Sequence, residues 1–273
     1  MSKKLICLVL CLLMAMQLFG CGKAEPVETE APTTEAPTTE PTTEPTTEPT
    51  TEPTTEPTTE PTEPPLVLHS GLREDGSFNE GTWFIGDSMT CILVTDYLKP
   101  NNLIGDASYT GKYGAQITAF FGDVIMDETT ATGICAYRPE HYGMEYDEVA
   151  VALGEQATAI YLMMGTNYTW NAYADAYIEL IDFLLETCPN ATVYMQTIPY
   201  GPEGFVWYKT VNKWINEAYA HYQEIQEERV QLIDTYTAIG INHQTGYIHL
   251  NYKGNENWYN AIVAYAEEHG IGE

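Results

Sequence analysis

The stretch Trp83-Phe84-Ile85-Gly86-Asp87-Ser88-Met89-Thr90 decides the fold. Thr82 to Ile85 reads as a short buried strand, Gly86-Asp87 breaks it, and Met89 to Leu98 reads as a helix. A strand that turns at once into a helix opens a βα unit. Ser88 stands at that junction. By itself a Ser there is a good helix cap. It also lies where open α/β sheets place their chemistry, at the carboxyl end of a strand.

The same alternation repeats downstream. A strand near Ser108-Tyr109 leads to Gly111 and Gly114. Ala159 to Met164 is an apolar run stopped by Gly165. Asn171 to Thr187 has helical spacing through Tyr173, Tyr177, Leu180, Ile181 and Leu184. Thr192 to Ile198 is strand-like and ends at Pro199. Val206 to Gln226 carries Trp207, Val211, Trp214, Ile215 and Ala218 on one helical face. Val230 to Ile233 is a short strand, and Tyr252 to His269 a final helix with Trp258, Ile262 and Tyr265 on one face. Strands alternating with helices of this length predict a parallel sheet covered on both sides. Phe120 to Gln156 has mixed signals and reads as helices and loops inserted between the second and third strands.

Composition divides the 273 residues into three parts. Lys3 and Lys4 precede an apolar run from Leu5 to Met16, which is short for a membrane span. With Leu18-Phe19-Gly20-Cys21 after it, the start reads as an export signal over residues 1–20. The tetrad resembles the bacterial lipobox, which implies a lipidated Cys21. Residues 21–65 are dominated by Thr-Thr-Glu-Pro repeats. With almost nothing apolar to bury, no core can form there. Pro and like-charge repulsion favour an extended spacer, whose 44 residues after Cys21 reach about 140 Å at about 3.1 Å each. Whether the Thr-rich spacer is glycosylated stays open. Residues 66–273 are ordinary globular sequence, long enough for one domain with a full core.

The formal net charge is −28. From Leu66 onward, 28 acidic residues face eight basic ones. Such a surface repels phosphate backbones, so nucleic acid is not an expected partner. Only Cys91, Cys135 and Cys188 fall in the globular part, too few for a disulfide framework, and buried thiols are the simpler reading. His69, His141, His221, His243 and His269 show no ligand spacing, and no metal or other cofactor is expected.

The residues that follow each strand carry the chemistry. Ser88 follows the first, Gly111 and Gly114 the second, and Gly165-Thr166-Asn167 the third. His249 stands just before the last helix. A Ser hydroxyl needs a base to become a nucleophile, and His supplies one near neutral pH. A developing oxyanion needs fixed donors, which backbone N–H groups and an Asn amide provide. As bland alternatives, Asn167 is also good turn chemistry, Asp87 a possible metal ligand, and His249 an ordinary satisfied histidine.

With these residues in order, the sequence resembles the SGNH, or GDSL-type, hydrolase superfamily over about Gly81 to Glu268. Its signature is Ser, Gly, Asn and His, matched by Ser88, Gly114 (Gly111 the alternative), Asn167 and His249. The resemblance implies a flavodoxin-like three-layer α/β/α sandwich with a parallel sheet of about five strands. It implies Ser88 as nucleophile, His249 as base, and an oxyanion hole from Ser88, Gly114 and Asn167. Two positions depart from the pattern. Gly246 stands where the family usually carries an Asp that orients the His, and Tyr168 where an Asp often follows the Asn. Asn242, Gln244 and Asp234 are the nearby alternatives for orienting His249.

The functional expectation is an extracellular serine esterase on a bacterial surface, anchored by lipid to the outer face of the cytoplasmic membrane. Its substrate would be a small acyl group, such as acetyl, on a carbohydrate or wall polymer. Tyr168, Trp170, Tyr200 and Trp207 are candidates for lining the cleft. The alternative is a catalytically degenerate module of the same fold that binds glycan.

Overall fold

The computed structural model describes residues 66–117, 120, 134–136, 144–167, 173–199, 201, 207–241, 243–245 and 248–273. In chain order the elements are β1 (Thr82–Asp87), α1 (Ser88–Ile92, continued by a π-helical stretch Leu93–Leu98), β2 (Ser108–Lys112), β3 (Ile134–Ala136), α2 (Tyr146–Leu153), β4 (Ala159–Met163), α3 (Tyr173–Thr187), β5 (Thr192–Gln196), α4 (Trp207–Glu224), β6 (Val230–Ile233), α5 (Thr235–Ile239), β7 (Gln244–Thr245), β8 (His249–Leu250) and α6 (Tyr252–His269).

The central sheet has the order β3-β2-β1-β4-β5-β6. Five of its strands pair in parallel, and β3 pairs antiparallel with β2 at the edge. The parallel strands alone run second-first-third-fourth-fifth, the flavodoxin-like order. The strand order reverses at β1. Its carboxyl end, with those of its neighbours β2 and β4, is the place where such sheets bind ligands.

Register explains how the two faces are filled. Tyr109, Phe84, Tyr161 and Tyr194 stand side by side across β2, β1, β4 and β5. Phe84 stacks on Tyr161 at 5.1 Å, and Tyr161 on Tyr194 at 4.8 Å. Such pairs add about 0.5–1.5 kcal/mol each beyond burial. Their hydroxyls need partners: Tyr161 donates to the Ser70 carbonyl at 2.7 Å and Tyr194 to that of His69 at 2.8 Å. This face is covered by α1 and α6, which pack on each other. Tyr259 of α6 meets Tyr97 at 5.9 Å, and Tyr265 meets Tyr194 at 6.0 Å. The next residues along, including Trp83, Ile85, Ile160, Leu162 and Val193, point to the other face and are fully buried. There α3 packs on α4 and α2 on α3.

The segment before β1 closes the opposite pole. His69 N–H donates to Thr192 Oγ1 at the start of β5, and Ser70 N–H to the Gly272 carbonyl. Both ends of the domain are thereby tied to the amino ends of the strands, away from Ser88.

The alternation of strands and helices is as the sequence predicts, and three features are not. The inserted region contains the edge strand β3 as well as α2. A three-residue strand holds too little pattern to read. Leu93–Leu98 is π-helical, with Lys99 N–H donating to the Val94 carbonyl; apolar periodicity does not distinguish that turn from an α-helical one. The short α5 and the β7–β8 hairpin likewise fall below the length at which periodicity speaks. Cys91 and Cys188 are buried, and burial pushes the Cys188 thiol up to about 11. Among the described residues no helix is long and apolar enough to cross a membrane. Residues 1–65, with Cys21, lie outside the described residues.

Candidate active site

Ser88 is the first residue of α1 and is 2 % exposed. It does not cap its helix. Asp87 is the N-cap residue, and its Oδ1 accepts the Met89 N–H at 2.9 Å. A cap of this kind contributes about 1 kcal/mol. With Asp87 in that role, the Ser88 hydroxyl is free for another partner. That partner is His249, whose Nε2 lies 3.1 Å from Ser88 Oγ.

His249 reaches this position from β8. The hairpin pairs Thr245 with His249 and Gln244 with Leu250. Directly after it, Asn251 caps α6 by accepting the Gly254 N–H at 2.9 Å. The imidazole is thus set between a hairpin and a capped helix start. The Tyr113 ring meets it edge to face, with centroids 5.8 Å apart. Among the described residues, none accepts a hydrogen bond from His249 Nδ1. Asp234 does not serve: its Oδ1 accepts the Thr197 hydroxyl and the Thr237 N–H, capping α5. Gly246, Asn242 and the side chain of Gln244 lie outside the described residues.

The structure separates the two glycine candidates. Gly111 lies inside β2, paired with Gly86 on one side and Cys135 on the other. A Cβ there would stand 2.7 Å from Cys91 Sγ, so Gly111 serves close packing. Gly114 lies past the strand end, exposed, with φ of +81° and nothing within 4 Å of a Cβ. That conformation favours glycine and leaves room beside the turn. Asn167, half-buried, follows β4; its Nδ2 donates to the Ala115 carbonyl at 3.1 Å. The amide therefore spans from the end of β4 to the turn that carries Gly114.

Asp87 is fully buried. Its Oδ2 accepts both the backbone N–H of Thr166, at 3.2 Å, and the Thr166 hydroxyl. Burial pushes its carboxyl up to about 6, against the pull of these donors. It is a structural junction and stands with no cluster of metal ligands: among the described residues no group of three or more His, Cys, Asp or Glu could hold an ion.

Of the cleft candidates, Trp207 opens α4 and is half-buried against the core. Tyr168, Trp170 and Tyr200 lie outside the described residues. Sequence reasoning missed Tyr113 and Thr166. Tyr113 had a readable signal, an aromatic directly before the turn glycine. Thr166 had none, because Gly-Thr-Asn reads as a turn whatever its hydroxyl does.

Residues 84–256 match the model of the GDSL-like lipase/acylhydrolase family. The chain belongs to that family. The matched span holds Ser88, Gly114, Asn167 and His249, and the family's Gly-Asp-Ser is Gly86-Asp87-Ser88. No curated protein matches the chain. Among solved structures it is similar to a family two carbohydrate esterase active-site mutant from Clostridium thermocellum, at 15 % identity and a TM-score of 0.49 over 70 % of this chain and 64 % of that one. It is also similar to a carbohydrate esterase family 3 protein from Talaromyces cellulolyticus, at 15 % identity and a TM-score of 0.45 over 68 % and 96 %. A lipolytic G-D-S-L family member from Veillonella parvula gives 17 % and 0.47 over 67 % and 96 %. These are likenesses of fold; the family assignment stands on the family model.

Proposed function

We propose that residues 66–273 form a serine esterase that removes a small acyl group, such as acetyl, from a carbohydrate or wall polymer. The observation that carries this is the 3.1 Å contact between Ser88 Oγ and His249 Nε2, a nucleophile within reach of its base. Ser88 Oγ attacks the ester carbonyl while His249 Nε2 takes its proton. The tetrahedral oxyanion is held by the Ser88 and Gly114 N–H groups and the Asn167 amide. Collapse expels the alcohol, protonated by His249, and leaves Ser88 acylated. Water, deprotonated by the same nitrogen, attacks the acyl-enzyme, and His249 returns that proton to Ser88 Oγ as the acid leaves.

The carbohydrate part of this reading is supported by the exposed Tyr113, 42 % accessible beside His249, since an exposed aromatic face suits a sugar ring. The location rests on sequence alone: an export signal over 1–20, a lipid on Cys21 and a spacer to residue 65, holding the domain outside a bacterial cytoplasmic membrane. The test is turnover of p-nitrophenyl acetate and of an acetylated oligosaccharide by the wild-type protein and Ser88→Ala. Acetate release that depends on Ser88 is expected. Wild-type release no faster than that of Ser88→Ala would end the reading.

One observation favours a second reading, a glycan-binding module that has lost its chemistry. His249 Nδ1 donates to none of the described residues, and Gly246 replaces the usual carboxylate. Loss of that carboxylate costs about 10⁴ in turnover in a serine protease. Affinity for a polysaccharide in a protein inert toward every ester would identify this case.

A further inference from the structure

Thr166 lies between Gly165 and Asn167 and is 6 % exposed. Its backbone N–H and its hydroxyl both donate to Asp87 Oδ2. The other oxygen of that carboxylate holds the Met89 N–H, in the first turn of the helix that Ser88 begins. β1 and β4 are neighbours, with Gly86 opposite Met163, so the carboxylate bridges two adjacent strand ends. On one side of it stands the nucleophile, and on the other the turn that presents the Asn167 amide. From Asn167 the connection goes on to Ala115, directly after Gly114.

Donors for an oxyanion act only when fixed within about 0.5 Å of their working positions. Here the nucleophile stands at the start of α1 and the Asn amide on the turn after β4, and the Thr166–Asp87 pair joins the two. The Thr166 N–H already ties the turn after β4 to Asp87, and the Asn167 amide ties it to Ala115. The hydroxyl gives a second attachment to the same oxygen.

We propose that Thr166 is a positioning residue of the esterase, setting through Asp87 the distance between Ser88 and the Asn167 amide. It touches no substrate, so its loss lowers the chemical step and spares binding. This rests on the esterase reading.

The test compares the full-length protein with Thr166→Val, which keeps shape and loses the hydroxyl, and Thr166→Ser, which keeps it. With p-nitrophenyl acetate, kcat of Thr166→Val is expected to fall about 10- to 100-fold, with KM within about threefold. Thr166→Ser should stay within about threefold of wild type in both. In an Asn167→Ala background, Thr166→Val should cost less than about threefold, because the donor it positions is gone. Should Thr166→Val fail to fold, Thr166→Cys, a weaker donor of similar size, must show the same loss in smaller degree. A valine or cysteine variant with wild-type kcat overturns the proposal. So does a loss confined to KM, or an equal loss with and without Asn167. A wild type without Ser88-dependent turnover would instead overturn the esterase reading.

Discussion

Ser88 and His249 are 161 positions apart in the chain and 3.1 Å apart in the fold. Three local devices produce that meeting. Asp87 takes over the capping of α1 and frees the Ser88 hydroxyl. The β7–β8 hairpin aims the imidazole, and Asn251 starts α6 immediately behind it.

In the proposed mechanism Asn167 is the side chain that feels the developing charge. Asn167→Ala should lower kcat about 10²- to 10³-fold with little change in KM, as loss of one oxyanion donor does elsewhere. Steady-state kinetics on p-nitrophenyl acetate check this, and an unchanged kcat would remove Asn167 from the oxyanion site.

A substitution at Tyr113 tests the proposed sugar substrate against a simple ester. Tyr113→Ala should raise KM for an acetylated oligosaccharide several-fold and leave KM for p-nitrophenyl acetate nearly unchanged. Equal effects on both would mean that the ring serves only to hold His249.

Asp87 gives a pH signature. Its carboxyl titrates at about 6 in the folded chain, against an ordinary 3.8, because burial disfavours the charge. A raised value stabilises the fold while the group is protonated, and that contribution is lost as pH rises from about 4 through 6. Over that window the stability of wild type relative to Asp87→Asn should fall by up to about 3 kcal/mol. Urea unfolding of both proteins at pH 4 and pH 7 measures it. A difference that is constant or grows with pH contradicts the assignment.

Gly111 is a packing glycine. In Gly111→Ala the new Cβ would stand 2.7 Å from Cys91 Sγ and 3.3 Å from the Asp87 carbonyl. Overpacking of this kind costs about 1–3 kcal/mol, read as a lower urea midpoint. Wild-type stability would show that Cys91 gives way freely.

The sequence made the frame legible because the frame is periodic. Thr192 to Ile198 and the face of α6 through Trp258 and Ile262 are long enough for apolar spacing to speak, and the strand-end residues followed from them. The antiparallel β3 was not legible, since it is short and pairs with a strand distant in sequence, nor was the π-helical turn after Ile92, since apolar spacing does not distinguish it from an α-helical one. Ser88, Gly114, Asn167 and His249 could be named because they are few and ordered. Thr166 could not, because its importance lies in a bond to Asp87, 79 residues away.

The proposed mechanism makes Ser88 a nucleophile activated by His249. Mass spectrometry of the protein after exposure to a fluorophosphonate tests it most directly. One phosphonyl adduct on Ser88 is expected in the wild type, none in Ser88→Ala, and labelling slowed at least about 100-fold in His249→Ala. An unlabelled wild type, or a Ser88→Ala protein labelled as readily, would contradict it.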